Sequence, residues 1–98
     1  MKIEKYPEGS RLTIKIIGRL DALTAPEFNR VIESSLGGVT ELVLDLKQLE
    51  YTSSAGLREF LGAQEIMDEQ GSMIVKNANE SVMDIFTETG FNDILDIE

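Results

Sequence analysis

The sequence predicts a single layered α/β domain with a mixed β-sheet, in which strands alternate with helices along the chain. Three observations carry this expectation. Arg11-Leu12-Thr13-Ile14-Lys15-Ile16 alternates apolar and polar residues, as a strand with one wet face does. Glu41-Leu42-Val43-Leu44-Asp45-Leu46 is a nearly continuous apolar run of strand length, suited to a central strand covered on both faces. Between and after these strands lie stretches with apolar residues at helical spacing, each closed by glycine.

A first short strand is expected over Ile3 to Tyr6; Pro7 and Gly9 then turn the chain into the second strand as an antiparallel hairpin. In Thr24-Ala25-Pro26-Glu27 the threonine can cap a helix, the proline suits the first turn and the glutamate can complete a capping box. Phe28, Val31, Ile32 and Leu36 follow at helical spacing up to Gly37-Gly38, which predicts a first helix from about Ala25 to Leu36. After the Glu41 to Leu46 strand, a connection leads into a second helix that starts at Ser53 or Ser54 and ends at Gly71. Leu57, Phe60, Leu61 and Met67 form its apolar stripe. Ser72 to Asn77 reads as a further strand. Asn79 can cap a third helix that turns Val82, Ile85 and Phe86 inward and ends at Gly90. The tail, Phe91 to Ile97, is either a short final strand or a packed terminal turn.

With 98 residues the chain is sized for one core, and no internal repeat, linker or boundary divides it, so residues 1–98 are expected to form one domain. Cysteine and histidine are both absent. That excludes disulfides, thiolate metal sites, Ser-His-Asp and Cys-His nucleophilic catalysis and most zinc chemistry. No spaced acidic loop suggests a Ca²⁺ or Mg²⁺ site, and no metal or cofactor is expected. The start lacks the apolar core of a signal peptide and no run approaches membrane-spanning length, so a cytoplasmic location without membrane insertion is expected.

The net charge is −9 and unevenly placed: residues 1–58 carry eight acidic and eight basic side chains, whereas 59–98 carry ten acidic ones and only Lys76. Such a surface repels nucleic acid and anionic membrane and favours a protein partner with basic patches.

The stretch Tyr51-Thr52-Ser53-Ser54-Ala55-Gly56-Leu57-Arg58 places hydroxyls at the start of the second helix, beyond the carboxyl end of a strand, where open α/β sheets gather their ligands. If Ser54 is the cap, its oxygen lies over the amides of Gly56 and Leu57 at the positive end of the helix dipole. A phosphate there would be held by the same donors, and Arg58 could swing back to pair with it. A close approach by a partner or phosphate would rationalise Gly56, and Ala55 keeps the place uncrowded. Serine is also among the commonest helix caps, so local physics leaves both a capping and a switching role open.

Asp45 to Leu57 resembles the hallmark of STAS domains, the sulphate transporter and anti-sigma factor antagonist family, in which a strand end is followed by an aromatic and then D/S-S-S/A/T-G-L. Gly18-Arg19-Leu20-Asp21 followed by Thr24-Ala25-Pro26 is similar to the family's G-x-L/I-D-x-x-T/S-A segment, and Val82 to Phe91 to its late helix and glycine turn. The resemblance implies a mixed sheet of about four to five strands with about three to four helices packed mainly on one side. It also implies a free-standing anti-sigma factor antagonist, not an enzyme, that binds an anti-sigma factor which is also a serine kinase. That partner phosphorylates one serine with ATP and so ends the capture; a serine phosphatase restores it.

By the motif, the phosphoacceptor is Ser54, two positions before Gly56. Ser53 stands where an aspartate is usual and is a second, less favoured acceptor; Ala55 stands for a serine or threonine. Asp21 matches an aspartate that the resemblance places against the kinase; its other reading is a local loop cap. With Thr52, Ser53, Ser54, Ala55, Gly56, Leu57 and Arg58 it makes up the expected partner-binding set, on a monomer or weak dimer. The other role the resemblance allows is a STAS subunit or accessory domain of a membrane transport system. An acyl carrier is disfavoured by the strand signals, and a serine hydrolase by the lack of a base near the motif.

Overall fold

The computed structural model describes residues 1–98. Strands β1 (Lys2–Glu8) and β2 (Arg11–Leu20) form the expected antiparallel hairpin; helix α1 (Ala25–Ser35) and strand β3 (Glu41–Asp45) follow. Then come β4 (Leu49–Thr52), α2 (Ser54–Gln70), β5 (Ser72–Lys76) and α3 (Glu80–Thr89). The tail combines both of its anticipated forms: a 3-10 turn over Phe91–Asp93, then a parallel bridge from Ile97 to Val75.

The sheet runs β1-β2-β3-β5, and all pairings except β1 with β2 are parallel. The long strand β2 serves two partners in succession. Arg11 to Lys15 pair with β3, and Gly18 to Leu20 with β4. At the start of the second stretch Gly18 adopts φ +99°, a left-handed conformation that favours glycine, and its amide donates to the Gln48 carbonyl at 2.9 Å. The register shifts there, so the strand can be handed from one neighbour to the next.

The core lies on one side of the sheet. Leu12, Ile14 and Ile16 of β2, Leu42 and Leu44 of β3, and Met73 and Val75 of β5 point into one cluster with the helices. Phe60 of α2 sits at its centre, edge-on to Phe28 of α1 at 5.8 Å and to Phe86 of α3 at 5.9 Å. The apolar run in β3 suggested a helix layer on both faces, but only one face has it. Val43 is buried yet stands outside that cluster, between its cross-strand neighbours Thr13 and Ile74.

Candidate functional site

Strand β4 delivers the serine stretch. Its short parallel pairing with β2 sets Thr52 opposite Leu20, and the Ser53 amide closes the ladder on the Leu20 carbonyl at 2.9 Å. The chain then turns into α2 with Ser53 still extended, at φ −92° and ψ 178°. Ser53, not Ser54, is therefore the helix cap: its Oγ accepts from the Gly56 amide at 3.5 Å and its carbonyl from the Leu57 amide at 3.0 Å. The reason is the ladder, which holds Ser53 in the extended conformation that an N-cap requires and pushes Ser54 into the first helical position.

Ser54 is exposed, and its hydroxyl makes no hydrogen bond within the protein. A helix leaves its first amides without intrahelical acceptors. Those of Gly56 and Leu57 are taken by Ser53, and those of Ser54 and Ala55 stay free beside the Ser54 side chain.

Gly56 has a different cause from the one its position suggested. A Cβ there would run into the Thr52 hydroxyl and come within 2.8 Å of Leu20 Cγ. The glycine thus lets α2 sit directly on β2 and β4, and it faces inward, away from any partner. Thr52 and Leu57 are likewise buried, at 1% and 4% exposure. These three support the site from beneath. Ser53 and Ala55 are half-buried, and Ser54 and Arg58 are exposed at its surface.

The loop between β2 and α1 lies alongside, because Leu20 both holds Ser53 and precedes Asp21. Asp21 Oδ1 accepts from the amides of Leu23 at 3.0 Å and Thr24 at 3.2 Å. Burial pushes the Asp21 carboxyl up, but these amides, the Thr24 hydroxyl and the Arg19 charge outweigh it and hold the pKa below its ordinary value. The loop-cap reading of Asp21 is thus realised. The expected Thr24 capping box is not: Thr24 makes no side-chain cap bond. Its hydroxyl instead accepts from the Asp21 amide at 2.9 Å and reaches the Arg19 carbonyl at 3.0 Å, so the loop's own turn has claimed it.

Between the starts of α1 and α2 lies an open groove of about 500 Å³, lined by Ala22, Pro26, Arg30, Ala55 and Arg58 among others. Asn29 Nδ2 donates to Glu59 Oε2 at 2.9 Å between the two helices. Sequence reasoning missed the α1 side of this groove, and it missed Leu23, which is 90% exposed at the loop tip. An apolar residue directly after the Asp21 turn was the available signal for it. Arg58 lines this groove and forms no ion pair there.

The fold and site together define a small α/β domain with a one-sided mixed sheet and an unengaged serine at the mouth of a strand-helix junction. The STAS domain model matches residues 2–98, and the chain belongs to that family. It is 30% identical to the anti-sigma-B factor antagonist of Bacillus subtilis (strain 168) over 87 residues, spanning 88% of this chain and 80% of that protein. The fold matches the anti-sigma factor antagonist SpoIIAA in its unphosphorylated form, with TM-score 0.73, 17% identity and coverage of 95% of this chain and 97% of that one. It also matches the phosphorylated form of the Bacillus cell fate determinant SpoIIAA, with TM-score 0.76, 18% identity and coverage of 99% and 91%. The expected family and fold class are thus both borne out. No helix is long and apolar enough to cross a membrane.

Proposed function

We propose that this protein is an anti-sigma factor antagonist switched by phosphorylation of Ser54. Unphosphorylated, it captures an anti-sigma factor that is also a serine kinase, and the sigma factor held by that partner is freed. The kinase then transfers the γ-phosphoryl group of ATP to Ser54 Oγ, whose proton is lost as ADP leaves. A serine phosphatase hydrolyses the ester and restores capture.

The observation that carries this reading is the division of labour between the two serines. Ser53 has its hydroxyl committed to the Gly56 amide and is half-buried, whereas Ser54 is exposed and uncommitted. A phosphate on Ser54 brings roughly −1.5 to −2 charges to a helix amino terminus with two free amides, and Arg58 is one turn away. Folding need not change to accept it. What changes is the surface: a small contact formed by Ser54, Ala55 and the Asp21 to Leu23 loop becomes bulky and dianionic. The relatives' names agree with the role, since the Bacillus subtilis protein is an anti-sigma-B factor antagonist.

Incubation with the cognate kinase and ATP tests the assignment, with the phosphosite mapped by mass spectrometry. One phosphate on Ser54 is expected, with Ser54→Ala binding constitutively and Ser54→Glu binding at least tenfold more weakly, as a charge forced into a contact does. A Ser54→Ala protein that is still phosphorylated and released would overturn it.

A further inference from the structure

The face of the sheet turned away from the helices carries an ordered charge pattern. Cross-strand register sets three rows across all four strands, read from β1 through β2 and β3 to β5, with the pair Lys2 and Ile17 beyond the third. The first is Glu8, Arg11, Glu41, Ser72; the second Tyr6, Thr13, Val43, Ile74; the third Glu4, Lys15, Asp45, Lys76. The middle row is the apolar one, with Tyr6 51% exposed, and none of its members joins the helix-side core. The outer rows alternate in sign.

An alternating row is complementary to its own reversed copy. A two-fold axis parallel to the strands, between β2 and β3, lays β1 on the other copy's β5 and β2 on its β3. Glu4, which in its own copy pairs with Lys2 at 3.4 Å and accepts from the Tyr6 hydroxyl at 2.8 Å, then faces Lys76; Lys15 faces Asp45, Arg11 faces Glu41, and Glu8 meets the Ser72 hydroxyl. Tyr6 covers Ile74, and Thr13 stands over Val43, which its own copy already buries. The other in-plane two-fold, across the strands, stacks Glu8 on Glu4, Arg11 on Lys15 and Glu41 on Asp45. The same pattern that favours the first arrangement therefore rejects the second.

We propose that this face is a self-association surface, and that its occupant is a second copy of the chain, packed sheet on sheet about the two-fold parallel to the strands. The packing belongs to the aligned class of β-sandwiches. Its contact is small: four strands about 4.8 Å apart and five residues of about 3.3 Å give roughly 300 Å² per copy, below the ~800 Å² of a stable interface. The dimer is accordingly weak, concentration-dependent and sensitive to salt, which screens its rim of charges. Ser54 lies on the helix side, so association leaves it accessible, and the proposal does not rest on the Ser54 switch.

Charge reversal separates this contact from the cross-strand pairs within one copy, which the same alternation also supports. In Lys15→Glu alone, the introduced carboxylate would face Asp45 of the other copy; in Asp45→Lys alone, the introduced ammonium would face Lys15. Each single variant repels itself, but an equimolar mixture of the two restores both contacts. Sedimentation equilibrium of the full chain at rising concentration is expected to show wild-type association that weakens with added salt. Each single variant should associate at least tenfold more weakly than wild type, and the mixture should recover.

Asp45 also holds the Lys47 amide and Asn77. Arg11→Glu and Glu41→Arg therefore form a second reversal pair, and circular dichroism confirms folding of each. Wild type that stays monomeric throughout would overturn the proposal. So would folded single variants that associate as well as wild type, or mixtures that gain nothing over their components.

Discussion

At the residue scale, adjacent serines have unlike physical roles, and stability measurements can tell them apart. Ser53→Ala removes an N-cap whose hydrogen bond, at 3.5 Å, is at the long limit, so a loss near the low end of the usual range, about 0.5–1 kcal/mol, is expected. Ser54→Ala removes an exposed hydroxyl that makes no hydrogen bond and should change stability by less than about 0.5 kcal/mol. Urea titrations of the two variants check this, and an equal or reversed cost would mean that Ser54 is the cap after all. Gly56→Ala is the third case. Helix propensity alone predicts a gain of about 0.5–1 kcal/mol. The added Cβ meets fully buried Leu20 at 2.8 Å, and such overpacking costs about 1–3 kcal/mol, so net destabilisation of roughly 1–2 kcal/mol is expected. The local sequence identified the right hydroxyl pair but not the cap. Which serine takes the extended conformation is decided by the amide of Ser53 bonding to Leu20, a contact 33 positions away along the chain that no local pattern contains.

At the element scale, α2 joins the site to the core. Its first turn presents Ser54, and two turns further on Phe60 is wedged between Phe28 and Phe86, fully buried. Phe60→Ala should cost about 3–5 kcal/mol in urea denaturation, a large part of the ~5–15 kcal/mol that holds a domain of this kind together. Leu61→Ala, at the half-exposed neighbour, should cost much less; equal costs would show that the aromatic contacts add nothing. The three helices and four of the strands were legible because their periodicity is long enough to register. The fifth strand, β4, was not. Leu49-Glu50-Tyr51-Thr52 is only four residues long, is buried at both ends and exposed in the middle, and so lacks the period-two signature. It exists because β2 continues past Gly18 and offers a second edge to pair with. The apolar-polar alternation of β2 breaks at Ile16-Ile17, whereas the left-handed conformation of Gly18 is what lets the strand carry on in a new register.

At the scale of the whole molecule, the excess of acidic groups and the particular environment of three of them act in opposite directions as pH falls. With a net charge of −9, protonating ordinary surface carboxylates relieves self-repulsion in the folded state. Glu4, Asp21 and Asp45 behave otherwise: the Tyr6 hydroxyl and the Lys2 ammonium hold Glu4 below its ordinary value. Burial raises the pKa of Asp45, but its bonds from Asn77 and the Lys47 amide, with Lys15 and Lys76 nearby, bring it below its ordinary value, as the loop amides do for Asp21. A carboxylate whose folded pKa is depressed contributes stability that is fully present above its unfolded value, near 3.8 for the two aspartates, and lost as pH falls through the folded one. The urea midpoint should therefore hold or rise as pH is lowered from neutrality towards about 5, then fall in the acid limb below the unfolded value. Asp21→Asn keeps an acceptor for the Leu23 and Thr24 amides but cannot titrate, so its acid limb should be shallower than that of wild type, and Asp21→Asn/Asp45→Asn shallower still. Matching acid limbs in all three proteins would show that the acid sensitivity arises from other carboxylates, leaving Asp21 as a loop cap whose charge does not contribute to stability.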